Sequence, residues 1–464
     1  MVLESLRRSN VAGSKTGVLK AYKFYKIKIM KKIISIFLLG ILFACQTIPS
    51  ADSPALSLGK DPQLPEPSSS IIPTVNIAKA SQWPEGIMPR VKENFRINLY
   101  SKELIHPRWL YVLPNGDVLV AQSNKQPPKK TQGLKDLIAR YIMKRAGAGN
   151  DSPDKITILR DENDDGVAEL ANDFLTNLHS PFGMTLIGNN LYVANTDAVM
   201  RFHYEMGDIK IDTKKHPPEK IVDLPEGEIN AHWTKNIIAS LDGTKLYVTV
   251  GSNSNIGEHG LDQEKDRAVI IEIDLKTKQK RIYASGLRNP NGLAWQPSSD
   301  KLWTVVNERD ELGNDLVPDY LTSVNDGDFF GWPYVYFKDR KDPRVKGSMP
   351  DKLKPRSPDY ALGAHVAALG LVFSNTSQFK APYDSGVFIS EHGSWNRKPR
   401  SGYKVVFISF KNSEPQGLPV DIVTDFVIED EAYGRPVGLA IDKKGNLLIA
   451  DDVGNRVWRI SSKE

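Results

Sequence analysis

Five scattered segments concentrate the residue types that could do chemistry. Residues 230–236 (NAHWTKN) present one imidazole, His232, between small Ala231 and aromatic Trp233. Residues 286–295 (GLRNPNGLAW) place Arg288 before a rigid Asn289-Pro290 turn, with Gly286 and Gly292 allowing sharp bends. Residues 307–321 carry five acids: Glu308, Asp310, Glu311, Asp315 and Asp319. Residues 390–404 (SEHGSWNRKPRSGYK) hold Glu391, His392, Trp395, Asn396, Arg397 and Lys404, and residues 432–440 set Arg435 between Gly434 and Pro436. Arginine forks match carboxylates in pairs. A loop dense in carboxylate and carbonyl oxygen suits calcium, and an imidazole exchanges protons near neutral pH. Singly, each segment has a plainer reading: a structural histidine, a turn with a surface arginine, a solvated acidic loop. Gathered at one place, they would suit a bound polyanion beside a metal.

A repeat in the chain supplies the means of gathering them. A turn of Gly, Asn, Asp or Lys, then four or five strand-forming residues, then a polar stop, occurs six times: NGDVLVAQ (115–122), GNNLYVAN (188–195), DGTKLYVTVGS (242–252), SDKLWTVVNE (299–308), YDSGVFISE (383–391) and KGNLLIADD (444–452). The first apolar residues, Leu119, Leu191, Leu246, Leu302, Val387 and Leu447, are 72, 55, 56, 85 and 60 residues apart. Such a period in an all-β chain predicts a six-bladed β-propeller, in which distant polar residues meet at one central axis. Thirty-four glycines and 30 prolines fit a fold with many turns, and helical periodicity is scarce. The closing phrase NRVWRI (455–460) is expected to pair back and seal the ring, because closure removes exposed edges.

The N-terminus reads as something else. Residues 1–29 look like an upstream extension with Met30 as the start. Lys31 and Lys32 precede twelve uncharged residues, Ile33 to Ala44, and then Cys45, the only cysteine of the 464 residues. Residues 30–45 therefore read as a lipoprotein-type signal peptide, with Cys45 as the lipidated N-terminus of an exported, envelope-bound protein on the periplasmic side. Residues 1–44 hold nine Lys/Arg and one acid, so without them the net charge falls from +5 to +5 − 8 = −3. That removes the case for a nucleic-acid partner, and one cysteine excludes a disulfide framework. Residues 46–89 begin with a stretch to Pro73 rich in proline and serine, expected as a flexible linker before a domain spanning 90–464.

Two further features interrupt the blades. Leu134, Leu137, Ile138, Tyr141 and Ile142 form one apolar stripe, predicting a short helical insertion over 134–149. In RDENDDGVAEL (160–170), Asp161, Asn163, Asp165 and Gly166 follow the opening spacing of an EF-hand loop, but position twelve is Asn172. A structural calcium and a plain surface turn both remain open there.

Seven motifs in order, HWTKN with DGTKLYVTVGSNSN, GLRNPNGLAW, the DxxxDYLTSVNDGDFFGWPY stretch (315–334), LGAHVAALGLVF (362–373), EHGSWNR and GRPVGLA, resemble the sorbosone dehydrogenase family over about residues 90–462. That family is similar to the soluble glucose dehydrogenases that use pyrroloquinoline quinone (PQQ). The resemblance implies a six-bladed propeller holding PQQ above a calcium ion and oxidising a sugar, sugar aldehyde or polyol, with a periplasmic electron acceptor. It implies His232 as general base, Arg288 and Asn289 beside the quinone oxygens, Arg435 near the cofactor carboxylates, and Arg397 and Lys404 as further basic positions facing the cofactor. Arg309, Asp310 and Asp319 fall where the glucose enzymes hold calcium. The sequence departs from those enzymes at Ala231, Val437 and the Arg309-Asp310 pair, so glucose is not the implied substrate.

Two other functional classes compete. A calcium-dependent propeller hydrolase of the lactonase kind needs carboxylates ringing a metal and no basic cradle, and a binding propeller needs no chemistry at all. The fold alone does not choose among them.

Overall fold

The computed structural model describes residues 57–68, 74–126, 143–227, 229–374 and 378–463. The leader with Cys45 and most of the helical insertion lie outside them; of that insertion, residues 143–145 are helical. No helix among the described residues is long and apolar enough to cross a membrane.

Six antiparallel sheets follow one another along the chain, as the repeat predicts. The first blade runs Pro107–Val112, Val118–Gln122, Lys155–Arg160 and Leu170–Leu175, each strand paired with the next. The others begin with the strands Met184–Ile187, Ile237–Ala239, Asn289–Trp295, Ala368–Ser374 and Pro436–Ile441 and repeat the same order. These six opening strands neighbour one another in a closed circle around the axis. All six apolar markers of the repeat fall in second strands, so each phrase's polar stop lies where its second strand turns over. The strand Arg90–Val91 adds a fifth member to the fifth blade.

Closure joins the two ends of the domain. Arg456–Ser462 pairs with the last blade's second strand on one side and with Phe95–Ser101 on the other. The N-terminal strand is thus the outermost strand of the C-terminal blade, which leaves the ring without a gap.

Each junction between blades has its own apolar core. The alternation along each strand sends side chains to both faces of the sheet, so every blade packs against both neighbours. Trp458, Phe388 and Phe407 are completely buried in one such core; each contributes about 1.5–3 kcal/mol by leaving water. Close approach at the axis needs small residues. A Cβ on Gly438 would sit 2.8 Å from the carbonyl oxygen of Arg108 and the Cα of Trp109, in the neighbouring blade.

One expectation fails in part. Within the stretch read as a flexible linker, residues 57–68 and 74–89 are seated on the propeller. Lys79–Ala80 pairs in parallel with Glu431–Ala432, and Gly59 exchanges backbone hydrogen bonds with Ala361 at 3.0 and 2.8 Å. Trp83 is 4% exposed, meets Trp458 edge to face and donates its indole N–H to Asp451 at 2.8 Å. Proline and serine content says that a segment cannot form its own core; it does not say that the segment lacks a surface to lie on.

Candidate active site

His232 stands on a loop that is fixed from below. The amino group of Lys235, wholly buried and without a carboxylate partner among the described residues, donates to the carbonyl oxygens of Trp233 at 3.0 Å and His232 at 3.4 Å. Asn236 donates to the carbonyl of Asn291 and Asn291 donates to Thr234, both at 3.2 Å. These bonds stitch the loop to the opening strand of the fourth blade. His232 Nδ1 lies 2.7 Å from the carbonyl oxygen of Ser252. A carbonyl only accepts, so Nδ1 carries the proton and Nε2 keeps its lone pair. Burial, and after it the Arg288 guanidinium, push the imidazole pKa down to about 3. The ring is therefore neutral at any working pH.

Beside it sits the Arg-Asn pair. A Cβ on Gly251 would come 2.5 Å from both His232 Cβ and Asn289 Oδ1, so only glycine lets these two meet across the strand. Ser252 N–H donates to the Arg288 carbonyl at 2.7 Å. Arg288 is 6% exposed; it donates to the Glu308 carbonyl at 2.7 Å, to Asn255 Oδ1 at 3.0 Å and to Asp310 Oδ2 at 3.2 Å. Asp310 also accepts from Asn396 at 2.8 Å and faces His365 Nδ1 at 3.4 Å. Burial opposes its charge, but His365 and Arg288 outweigh burial and hold the carboxyl well below the usual range. Burial likewise opposes a charge on His365, and Asp310 overcomes it, so that imidazole is raised.

A second wall comes from the sixth and first blades. Arg435 is 5% exposed, with its guanidinium 4.9 Å from the centre of the Tyr403 ring and one bond to the Tyr403 hydroxyl at 3.2 Å. Asp452 accepts from His392 at 2.9 Å and from Arg108, whose guanidinium lies 5.7 Å from the Trp233 ring centre. Trp233 adjoins the base, so this wall reaches back to His232. Several buried polar atoms in these groups have no partner among the described residues: Asn289 Oδ1, Asn291 Oδ1, Asn253 Oδ1, Asn396 Oδ1, Arg108 Nε, Arg435 Nε and Asp452 Oδ1. They come from five blades and include both donors and acceptors.

The structure does not bring every sequence candidate here. Arg397 spends its donors on the Asn314 and Pro399 carbonyls and on Asp315, at 2.8–2.9 Å, locking two loops together. Lys404 pairs with Asp421 at 2.7 Å. Arg309 is 1% exposed and turns its guanidinium to Asp342, 2.7 Å away. Asp319 accepts the backbone N–H groups of Glu308 at 2.8 Å and Ala367 at 2.6 Å, which ties two strand ends together. Of the five acids in the loop, Glu311 and Asp315 pair with Arg344 and Arg397; Asp310 meets Arg288 through its carboxylate and Glu308 only through its backbone carbonyl. The loop is thus dispersed among cations and amides rather than ringed about one point. Among the described residues, the groups of three acids or histidines close enough to share an ion lie elsewhere: Asp161, Asp165 and Glu169, and His179, Asp197 and Glu226. In the first, Asp161 already accepts the N–H groups of Asp165 and Gly166.

Sequence reasoning missed Arg108, Asp452, His106, His365 and Tyr403. A signal for Arg108 was present: three opening strands start with a basic residue beside a proline, as His106-Pro107-Arg108, Arg288-Asn289-Pro290 and Arg435-Pro436. Asp452 ends the sixth repeat phrase, five positions past the marker Leu447, as His392 stands five positions past Val387 in the fifth.

Comparison with known proteins agrees with this architecture. The TrAA12-like family matches residues 154–326 and 350–463. An uncharacterized protein of Borreliella burgdorferi is 30% identical over 291 residues, covering 61% of this chain and 76% of that protein. Among solved structures, the Trichoderma reesei carbohydrate-active enzyme of family AA12 superposes with TM-score 0.64 at 16% identity, covering 84% of this chain and all of that one. The holo PQQ domain of pyranose dehydrogenase from Coprinopsis cinerea gives 0.63 at 19%, covering 83% of this chain and 100% of that domain. The PQQ-bound aldose sugar dehydrogenase of Streptomyces coelicolor gives 0.52 at 15%, covering 81% and 100%. These three likenesses carry the fold, and the family match over well over half the chain carries the kinship: this chain belongs to the TrAA12-like family.

Proposed function

We propose that this protein is a quinoprotein oxidoreductase that oxidises a sugar, a sugar aldehyde of the sorbosone type or another polyol, with His232 as general base and a calcium ion at the cofactor. The observation that carries this reading is a neutral, oriented imidazole packed across Gly251 against Asn289 and beside buried Arg288. The residues fit the group. PQQ is a flat tricarboxylate quinone, and the unpartnered guanidinium nitrogens of Arg108 and Arg435 and the unpartnered amide oxygens suit a ligand bearing both charge and polar edges. When bound, PQQ supplies the quinone that takes up the substrate's C–H hydrogen as hydride. The chain's own part is the proton: His232 Nε2 accepts it from the substrate hydroxyl while Ser252 holds the ring in place. Burial first, and the Arg288 guanidinium after it, keep the imidazole neutral, so that Nε2 is available to take the proton. For calcium, the supporting features are the unpartnered amide oxygens of Asn253, Asn289 and Asn396, since the Asp310 carboxylate is already engaged by Arg288 and Asn396.

His232→Gln tests the assignment, because glutamine keeps a polar group but cannot take the proton. PQQ uptake, followed by absorbance, is expected to survive while dye-coupled sugar oxidation falls by about 100-fold or more. A mutant turning over at the parental rate removes His232 from the mechanism. The leader supports a second part of the proposal: export, lipidation at Cys45 and electron delivery to an acceptor in the periplasm. Mass spectrometry of the native N-terminus decides it, and a mature protein that retains residues 30–44 sinks it.

A further inference from the structure

A strong charge asymmetry lies away from the candidate site. Residues 338–356 carry eight Lys/Arg and three Asp, a net 8 − 3 = +5, so the rest of the chain from Cys45 onward stands at −3 − 5 = −8. The stretch falls between the third and fourth strands of the fourth blade, Pro318–Val324 and Tyr360–Ala364. A hairpin, Val335–Tyr336 with Arg340–Lys341, carries its first part, with Lys338 in the turn. Arg344 is paired with Glu311, and Arg356 with Asp328 and Asp359. Lys338, Lys341, Lys346, Lys352 and Lys354 are exposed and meet no carboxylate among the described residues. Asp342 is buried against Arg309, which leaves only Asp339 and Asp351 as exposed acids of the stretch. An ordinary solvated face intersperses both signs; this one is cationic.

Beside the hairpin runs a groove of about 660 Å³, with apolar surface from Leu312, Tyr336 and Pro67, cations from Arg340, Lys341 and Arg344, and Glu66 as its one acid. An apolar lining under a cationic rim suits a molecule that joins a phosphodiester to hydrocarbon. The N-terminal segment fixes where such a molecule would come from. Leu64 packs on the core of Leu312 and Tyr336, Arg340 donates to the Pro65 carbonyl at 3.3 Å, and Ser68 N–H donates to the Leu312 carbonyl at 2.9 Å. Residues 64–68 are therefore fastened along the groove. Ser57, where this seated segment begins, is twelve residues after Cys45, a reach of at most about 40 Å. A lipid on Cys45 holds the edge of the disc that carries residues 57–68 within that span of the bilayer. We infer that the surface from Lys338 to Lys346 is a docking face for the anionic phospholipid headgroups of the membrane that holds the chain's own anchor. The inference takes from the proposed function only the lipid on Cys45; it stands apart from sugar oxidation.

The test places the full chain, purified with its native N-terminus, on vesicles of phosphatidylcholine alone and on vesicles with about one-third phosphatidylglycerol. Acetylation of exposed lysines, read by mass spectrometry, reports which face is covered. Lys338, Lys341 and Lys346 are expected to react about fivefold more slowly on the anionic vesicles. The difference disappears at about 1 M salt, and exposed Lys210 of the second blade keeps one rate throughout. In the variant with Lys341→Glu and Lys346→Glu, Lys338 is expected to react equally on both vesicles. Equal labelling of the parent on both vesicles, or protection that salt leaves intact, overturns the inference. Protection by inorganic phosphate in detergent would make the groove a free-anion site, and protection seen only in native membranes would assign the face to a protein; either result also overturns it. A chain that does not float with neutral vesicles carries no lipid anchor and defeats that reading, while slowed, salt-sensitive labelling of the same chain on anionic vesicles still upholds the basic face.

Discussion

Glu391 offers a measurement in which one buried carboxyl can be isolated by pH. It ends the second strand of the fifth blade, is 1% exposed, and its Oε2 has no partner among the described residues. Its cross-strand neighbour is Lys404, but the ammonium is held by Asp421. Burial therefore dominates and lifts its pKa from 4.5 to about 8. A carboxyl raised in the folded state holds its proton there after the unfolded chain has released it. Stability linked to this group is fully present below pH 4.5 and is lost as pH rises toward 8. Each pH unit inside that window is worth about 1.4 kcal/mol, so between pH 5 and 7 the parent loses about 2.5 kcal/mol through Glu391. Glu391→Gln keeps the shape and removes the titration. Urea denaturation of both proteins at the two pH values reads the difference directly, because every other titrating group cancels. The variant is expected to gain about 2.5 kcal/mol on the parent between pH 5 and 7. A stability difference that is the same at both values would show that Lys404 neutralises a charged Glu391, and the reasoning would be refuted.

The other predictions follow from single contacts. Asp342→Asn leaves Arg309, 1% exposed, without its counter-charge; the expected loss is about 3–5 kcal/mol, with PQQ affinity unchanged, and a thermal melt beside a cofactor titration checks both halves. Gly251→Ala drives a methyl group into His232 and Asn289, and about 1–3 kcal/mol of overpacking is expected together with a fall in turnover larger than any fall in cofactor binding. Removing residues through Ser101 takes away the outermost strand of the sixth blade. The remaining chain is expected to lose its single cooperative unfolding transition by circular dichroism, and an unaltered melt would mean that closure lies elsewhere.

Much of the fold was legible in advance because it rests on local pattern. The six repeat phrases predicted six blades, and all six markers proved to be second strands, since alternation and turn residues act over a few positions whatever the rest of the chain does. The same locality singled out the His232 loop, Arg288, Asn289 and Arg435 as candidates. The seating of residues 57–68 and 74–89 on the domain was not legible, because their partners, such as Ala361, Glu431 and Asp451, are hundreds of positions away.

Composition and spacing determined that the chain makes a ring of short sheets with basic and imidazole groups at strand ends. Only the tertiary structure decided which of those groups share a space. Arg288 and Arg397 look alike in sequence, yet one lies against Asp310 beside His232 and the other clamps Asn314, Pro399 and Asp315. The acids of 308–319 look like one cluster, yet each finds a different partner. A side chain's identity sets what it can bond, but its partner is set by the neighbours that ring closure brings within about 3 Å, and those neighbours come from other blades.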